Sequence, residues 1–138
     1  MTVAATRLPE QLRAPLIAGA AGVVAAGALL LRDPHTAGSW PVCPILLLTG
    51  VPCPACGGLR ATHDLLTGDV TAALSSNAYV VLTVLLAGMA FVTWVAAAVR
   101  GRRPTWLRRS SMVGGLWAGG LLAFGLLRLL PELSVLRP

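Results

Sequence analysis

Three cysteines are the residues of this sequence best suited to chemistry. Cys43, Cys53 and Cys56 lie within the stretch VCPILLLTGVPCPACGGLR, residues 42–60. Thiolates act as nucleophiles, exchange with disulfides and bind soft metals, and thiols outside the cytoplasm commonly oxidise to disulfides. The stretch therefore allows three interpretations: a disulfide, a metal site or a thiol-redox centre.

The composition around this stretch indicates a membrane protein. Of 138 residues, 56% are hydrophobic and 12% are charged, and the mean hydropathy is +0.77. Three apolar stretches, at 15–31, 78–99 and 112–130, approach the roughly 20 residues that cross a bilayer as a helix. The sequence predicts a single-domain, all-α integral membrane protein with three transmembrane helices. A Cys-containing loop over 32–77 and a linker over 100–111 connect them.

The arginines predict how these helices are oriented. All 11 basic residues are Arg, and the linker holds a group of them: Arg100, Arg102, Arg103, Arg108 and Arg109. Since basic loops stay on the cytoplasmic side, we expect the linker and the N-terminus inside, and the Cys loop and the C-terminus outside. We expect Arg128, near the end of the third stretch, to snorkel its guanidinium to the lipid headgroups.

The same arginines argue against nucleic-acid binding. The net charge is +6, but much of it belongs to a linker whose charge sets the topology. We expect this linker to attract anionic lipid instead. The first apolar stretch is expected to remain as a membrane helix, because it is longer than the apolar core of a signal peptide and no A-x-A-like site follows it.

One short surface helix is expected within the loop. The segment GLRATHDLLTGD has leucines at helical spacing, and Gly68 followed by Asp69 is typical of a helix end and a new N-cap. The helix capped by Asp69 is expected to run into the second span. The apolar run ILLLTG is too short to cross a bilayer, so we expect it to enter the membrane interface or pack on the helix ends.

A disulfide is the favoured interpretation of the cysteines. We expect Cys43 to pair with Cys53 or Cys56, because a longer closed loop gains more from the loss of chain entropy than a bridge within C-P-A-C. No cofactor is the main expectation. The first alternative is a zinc or copper site, for which His35 and His63 offer further ligands.

Thiol-redox chemistry is the second alternative. The residues after Cys56 begin a helix, whose dipole would lower the pKa of nearby thiols. Such sites, however, lie on sheet-based domains that this loop is too small to form. We therefore place redox chemistry behind the other two interpretations.

Arg60 and the small residues of the spans have structural and binding interpretations. Arg60 can pair with Asp64 or Asp69 on a solvated helix face, or bind a carboxylate or lipid phosphate through its guanidinium. Small residues that predict close helix contacts, within this chain or with a larger complex, are Ala18, Gly22, Ala26, Gly115 and Gly119.

The loop resembles an uncharacterised bacterial family of short membrane proteins, a domain of unknown function. Its signature runs C-P, T-G, C-P-x-C-G-x-T-R and later G-D and Asn. The matching residues are Cys43, Pro44, Thr49, Gly50, Cys53, Pro54, Cys56, Gly57, Arg60, Gly68, Asp69 and Asn77. Leu59 departs from the pattern, where the family usually has Thr. The resemblance implies a bacterial cell membrane location and a family-defining loop, but no activity.

These observations predict a non-catalytic protein. No nucleophile–base pair, paired carboxylates or phosphate loop points to an enzyme. We expect an accessory or assembly subunit of a larger membrane complex, with the bilayer and other membrane subunits as its partners. The Ala-, Gly- and Arg-rich usage without Lys fits a GC-rich genome and suggests, by analogy, an aerobic respiratory-chain assembly. The rival hypothesis is a metal-binding or thiol-redox membrane protein built on the same loop.

Overall fold

The computed structural model describes residues 10–102, 104, 106 and 110–130. Its helices, in chain order, are α1 Glu10–Leu31, α2 Pro44–Thr49, α3 Gly58–Thr67, α4 Val70–Val99 and α5 Ser110–Leu127. The described residues are otherwise turns and irregular segments, so the all-α prediction is confirmed. Arg103, Arg108 and Arg109 lie outside the described residues.

Three of these helices, α1, α4 and α5, are long and apolar enough to cross a membrane. Most of their large hydrophobic side chains are exposed, as expected for contact with lipid tails. The helix α1 begins five residues before the predicted span, so that Pro15 lies inside it rather than in its first turn. Glu10 in that first turn favours the earlier start, because a carboxylate stabilises the positive end of a helix.

Asn77 divides α4 into a surface part and a membrane part. Its backbone leaves the helical region, with φ −168° and ψ 96°. Its Oδ1 accepts a hydrogen bond from the backbone N–H of Val80 at 3.0 Å, the geometry of an N-cap. The second span therefore starts afresh at Ala78, where the sequence predicts it, while Asp69 caps the preceding turns through the N–H of Ala72 at 2.9 Å.

The loop helix α3 packs on both parts of α4, across the break at Asn77. Its expected range is confirmed, and Gly68 ends it in the left-handed conformation at φ 88°. The contact is a small buried cluster of Ala61, Ala73 and Val81, which Leu65 and Val80 extend. The apolar run forms α2, a helix of six residues.

Two contacts show which segments lie at each end of the helix bundle. At one end the start of α1 lies beside the end of α4, since a Cβ on Gly101 would stand 3.7 Å from Gln11 Oε1. At the other end the side chain of Arg128, just after α5, reaches the Cys loop. The Cys loop and the linker after α4 therefore lie at opposite ends of the bundle.

Three of the small residues expected at close helix contacts face no helix of this chain. Among the described residues, a Cβ on Gly22, Gly115 or Gly119 would have no neighbour within 4 Å, which leaves these positions to the other alternative, contact with a larger complex. A Cβ on Gly19 would instead lie 3.1 Å from the Phe91 ring, and Gly120 and Gly125 face Tyr79 and Pro54. Small-residue spacing identified suitable faces but could not say which face meets a neighbour.

Candidate functional site

The three cysteines come from two turns that flank α2. Cys43 precedes Pro44, the first residue of that helix, and Gly50 ends the helix in the left-handed conformation at φ 69°. Cys53 and Cys56 lie in a tight turn closed by a hydrogen bond from Cys56 N–H to the Cys53 carbonyl at 3.0 Å. The short helix thus folds the chain back and brings Cys43 to the C-P-A-C turn.

The three thiols converge but are free. The Sγ atoms of Cys43 and Cys53 are 3.4 Å apart, and those of Cys53 and Cys56 are 3.2 Å apart. All three sulfurs lie within 4.8 Å of one another. A disulfide requires about 2.05 Å, so the expected bridge from Cys43 to Cys53 or Cys56 is not supported. Loop entropy ranks pairs of cysteines by the length of loop they close, so it gives no reason for three thiols to cluster.

The thiols differ in acidity because their surroundings differ. The backbone N–H of Leu46, at the start of α2, lowers the pKa of Cys43, and the Cys53 thiol acts in the same direction. Burial raises the pKa of Cys56 to about 12, and its contact with Cys53 adds to the effect. Of these two thiols, Cys43 is therefore the more readily ionised, and Cys56 retains its proton at neutral pH.

Asn77 stabilises the C-P-A-C turn by hydrogen bonds to its backbone. Its side chain is 1% exposed, and its Nδ2 donates to the carbonyl oxygens of Pro54 and Cys56, each at 3.0 Å. One amide therefore fixes the cysteine turn and caps the second span. The sequence pattern included Asn77 but gave it no role.

Arg128 also donates a hydrogen bond to the C-P-A-C turn. It is 1% exposed and does not snorkel to the headgroups as expected. Its Nη1 donates to the Cys56 carbonyl at 2.9 Å, its Nη2 donates to the Ser76 carbonyl at 3.1 Å, and its guanidinium lies 4.8 Å from the centre of the Phe124 ring. Two carbonyls and an aromatic ring thus engage the guanidinium inside the protein, away from the lipid phosphates.

The histidines do not join the thiols. His35 and His63 gather with Asp33, one ligand atom of each lying within 4.8 Å of the others, as a group separate from the cysteines. The single site of cysteine and histidine ligands considered from the sequence is thus divided in two. Asp33 was missed, and the only signal for it was its position two residues before His35.

The remaining motif residues shape the turns or lie on the surface. Gly57 precedes α3 in the left-handed conformation at φ 81°, which a residue without a Cβ adopts at no steric cost. Arg60 is exposed and its Nε donates to the Pro34 carbonyl at 3.4 Å. Asp64, its expected partner, is engaged by His35 and Ser76 instead.

Comparison with known families matches this region of the chain. Residues 43–91 match the model of a family described as a protein of unknown function, DUF2752. The match begins at the first cysteine and ends within the second span, so the resemblance to an uncharacterised family is confirmed. No curated protein and no solved structure matches the chain.

Proposed function

We propose that this protein binds a soft metal ion at the membrane, with Cys43, Cys53 and Cys56 as its ligands. The convergence of three free sulfurs within 4.8 Å supports the proposal. A structural disulfide would use two of these cysteines and leave the position of the third unexplained. Metal binding accounts for all three.

Cu(I) is the ion that the ligand set favours. Structural zinc is almost always bound by four protein ligands, whereas this cluster supplies three thiols among the described residues. Soft thiolates also select Cu(I). Three metal–sulfur bonds of about 2.3 Å in a plane place the sulfurs about 4 Å apart, so the pairs now at 3.2 and 3.4 Å need to open by less than about 1 Å.

The charge of Arg128 suits such a complex. Three thiolates and one Cu(I) carry a net charge of −2, which is costly to hold away from water. The buried guanidinium on the Cys56 carbonyl offsets part of this charge. Arg128 therefore acts as a positioning and charge-balancing residue without being a ligand.

We further propose that the Cys loop faces the extracytoplasmic side and that the Arg-rich linker faces the cytoplasm. The opposite placement of the two segments in the fold supports this, together with the bias of arginine toward cytoplasmic loops. Thiols on the outer side are exposed to oxidation, and a bound metal would protect them.

A Cu(I) titration of the full chain tests the metal proposal. Reduced protein in mild detergent, kept free of oxygen, competes with a chromophoric Cu(I) chelator, and we expect one ion per chain. Replacing any one of the cysteines by Ser should lower the affinity, while His63→Asn should leave the stoichiometry unchanged. Absence of Cu(I) binding by the reduced chain would overturn the metal proposal, whether or not zinc binds elsewhere on the protein.

An accessory role in a larger membrane complex is a second proposal, which is compatible with the first. The open surfaces of Gly115 and Gly119 on α5 and Gly22 on α1 favour it, because close helix approach in membranes uses such surfaces. The suggested respiratory-chain assembly remains a proposal from analogy. Copurification in mild detergent tests the accessory role. If partner proteins copurify with the Gly88→Leu variant but not with the Gly115→Leu variant, α5 has a docking role.

A further inference from the structure

We propose that Asp33, His35 and His63 form a second metal site, for a divalent borderline ion such as Zn²⁺ or Cu²⁺, separate from the thiol cluster. Asp33 and His35 follow the end of α1, and His63 lies in the middle of α3. His63 Nε2 is 4.0 Å from Asp33 Oδ1, a separation that two ligands of one ion commonly have at bond lengths of about 2.0–2.2 Å.

Asp64 orients the His35 imidazole through a hydrogen bond and lies close to the His63 ring. It is 5% exposed, and its Oδ1 lies 2.7 Å from His35 Nε2 and 3.6 Å from His63 Nδ1. Ser76 Oγ donates to its Oδ2 at 3.2 Å, which fixes the carboxylate. A histidine that donates one ring N–H to a carboxylate carries its lone pair on the other nitrogen, and metal-binding histidines are usually held in this way.

A purely structural role explains only part of this arrangement. The bond between His35 and Asp64 alone would tie the segment after α1 to α3. It does not require Asp33 and His63 to converge on the same space. The side chains of His35 and Asp33 are 42% and 47% exposed, so an ion can reach the group from solvent.

The ligand types determine which ions fit. Two imidazoles and a carboxylate suit zinc, Cu²⁺ and similar ions, and not the oxygen-preferring Mg²⁺ or Ca²⁺. The carboxylates of Asp33 and Asp64 carry two negative charges, which a divalent ion balances. The loop would then carry a soft site and a harder site that load independently.

The test uses the tag-free full chain in detergent with Cys43, Cys53 and Cys56 replaced by Ser, so that no thiol can bind the probe. Co²⁺ alone is the probe. We expect one ion per chain, weak visible absorption and no thiolate-to-metal charge-transfer band, with displacement by Zn²⁺. Failure of this folded variant to bind Co²⁺ or Zn²⁺ would overturn the second site. It would leave the Cu(I) proposal intact.

Single substitutions in the same background locate the site. His63→Asn should abolish Co²⁺ binding, and Asp64→Asn should weaken it about 10- to 100-fold, as loss of an orienting partner typically does. Asp69→Asn is the matched control, a carboxylate of the same loop whose role is helix capping, and should leave binding unchanged. Binding that survives His63→Asn would contradict the assignment. If the triple Ser variant does not fold, the same titration is made on wild-type protein whose thiols are first loaded with Cu(I).

Discussion

Two residues that are far from the cysteine loop in sequence stabilise it by hydrogen bonds to its backbone. Arg128 contacts the Cys56 carbonyl across 72 positions, and Asn77 reaches the Pro54 carbonyl across 23. The types of these residues are visible in the sequence, since an Arg at the end of an apolar helix and an Asn before another are both unusual. Their partners are not, because nothing in local spacing says which carbonyl a long side chain will find.

The unequal acidity of the thiols predicts an order of alkylation. In metal-free, reduced protein at pH 7, Cys43 should react with iodoacetamide faster than Cys56, because the thiolate is the nucleophile and burial raises the pKa of Cys56 to about 12. Peptide mass spectrometry over time measures both rates. Equal rates for the two thiols would show that the difference in their surroundings has no chemical effect.

The same pKa predicts how metal affinity depends on pH. Cys56 is protonated throughout pH 6–8, so binding a metal there must release its proton. Affinity for Cu(I) should therefore rise with pH, by about tenfold per unit for each proton released. Competition titrations at pH 6, 7 and 8 measure the slope, and a flat profile would exclude Cys56 as a ligand.

At the scale of elements, the helices and their ends followed well from the sequence. Apolar length predicted α1, α4 and α5, and Gly68 with Asp69 predicted the boundary between α3 and α4. Capping and turn chemistry are local, so the residues that cause them are neighbours in the chain. The helix contacts could not be assigned from the sequence, because a small residue permits close approach without selecting a partner.

Asn77→Ala should destabilise the protein by about 2–4 kcal/mol. The change removes an N-cap and two buried hydrogen bonds, and leaves the carbonyls of Pro54 and Cys56 with fewer donors. Denaturant unfolding in detergent measures the loss. Ser75→Ala is the control, since that exposed hydroxyl donates to the Ala72 carbonyl within its own helix. A similar effect of both changes would refute the role assigned to Asn77.

Gly125→Ala tests the contact between α5 and the cysteine turn. The added Cβ would lie 2.5 Å from Pro54 Cγ, so the helix or the turn must move, at a cost of about 1–3 kcal/mol. We expect lower stability and weaker Cu(I) binding. Gly119→Ala adds the same methyl where no atom of the described residues lies within 4 Å, and it should be neutral or slightly stabilising. Wild-type behaviour of Gly125→Ala would mean that α5 does not support the turn.

At the scale of the whole molecule, the structure fixes which segments share an end of the bundle, and the positive-inside rule predicts which end faces the cytoplasm. The arginines near Arg100 predict that a reporter fused after Ser110 is cytoplasmic, and that one inserted near Thr36 is extracytoplasmic. Paired fusions that report activity on opposite sides of the membrane measure this. A cytoplasmic result at Thr36 would reverse the orientation and remove the oxidising surroundings proposed for the thiols.

The contacts made by Gly125 and Arg128 have a consequence for evolutionary comparison. The family match ends at Phe91, yet the cysteine turn it contains is contacted by Gly125 and Arg128, which lie beyond the match at the end of α5. The two residues are three apart and therefore project from one side of the helix end. The segment that matches the family is thus shorter than the set of residues that holds the cysteine turn. Relatives that keep the cysteine turn should carry a Gly-x-x-Arg pattern, or a substitute of the same shape and charge, beyond the boundary of the recognised domain.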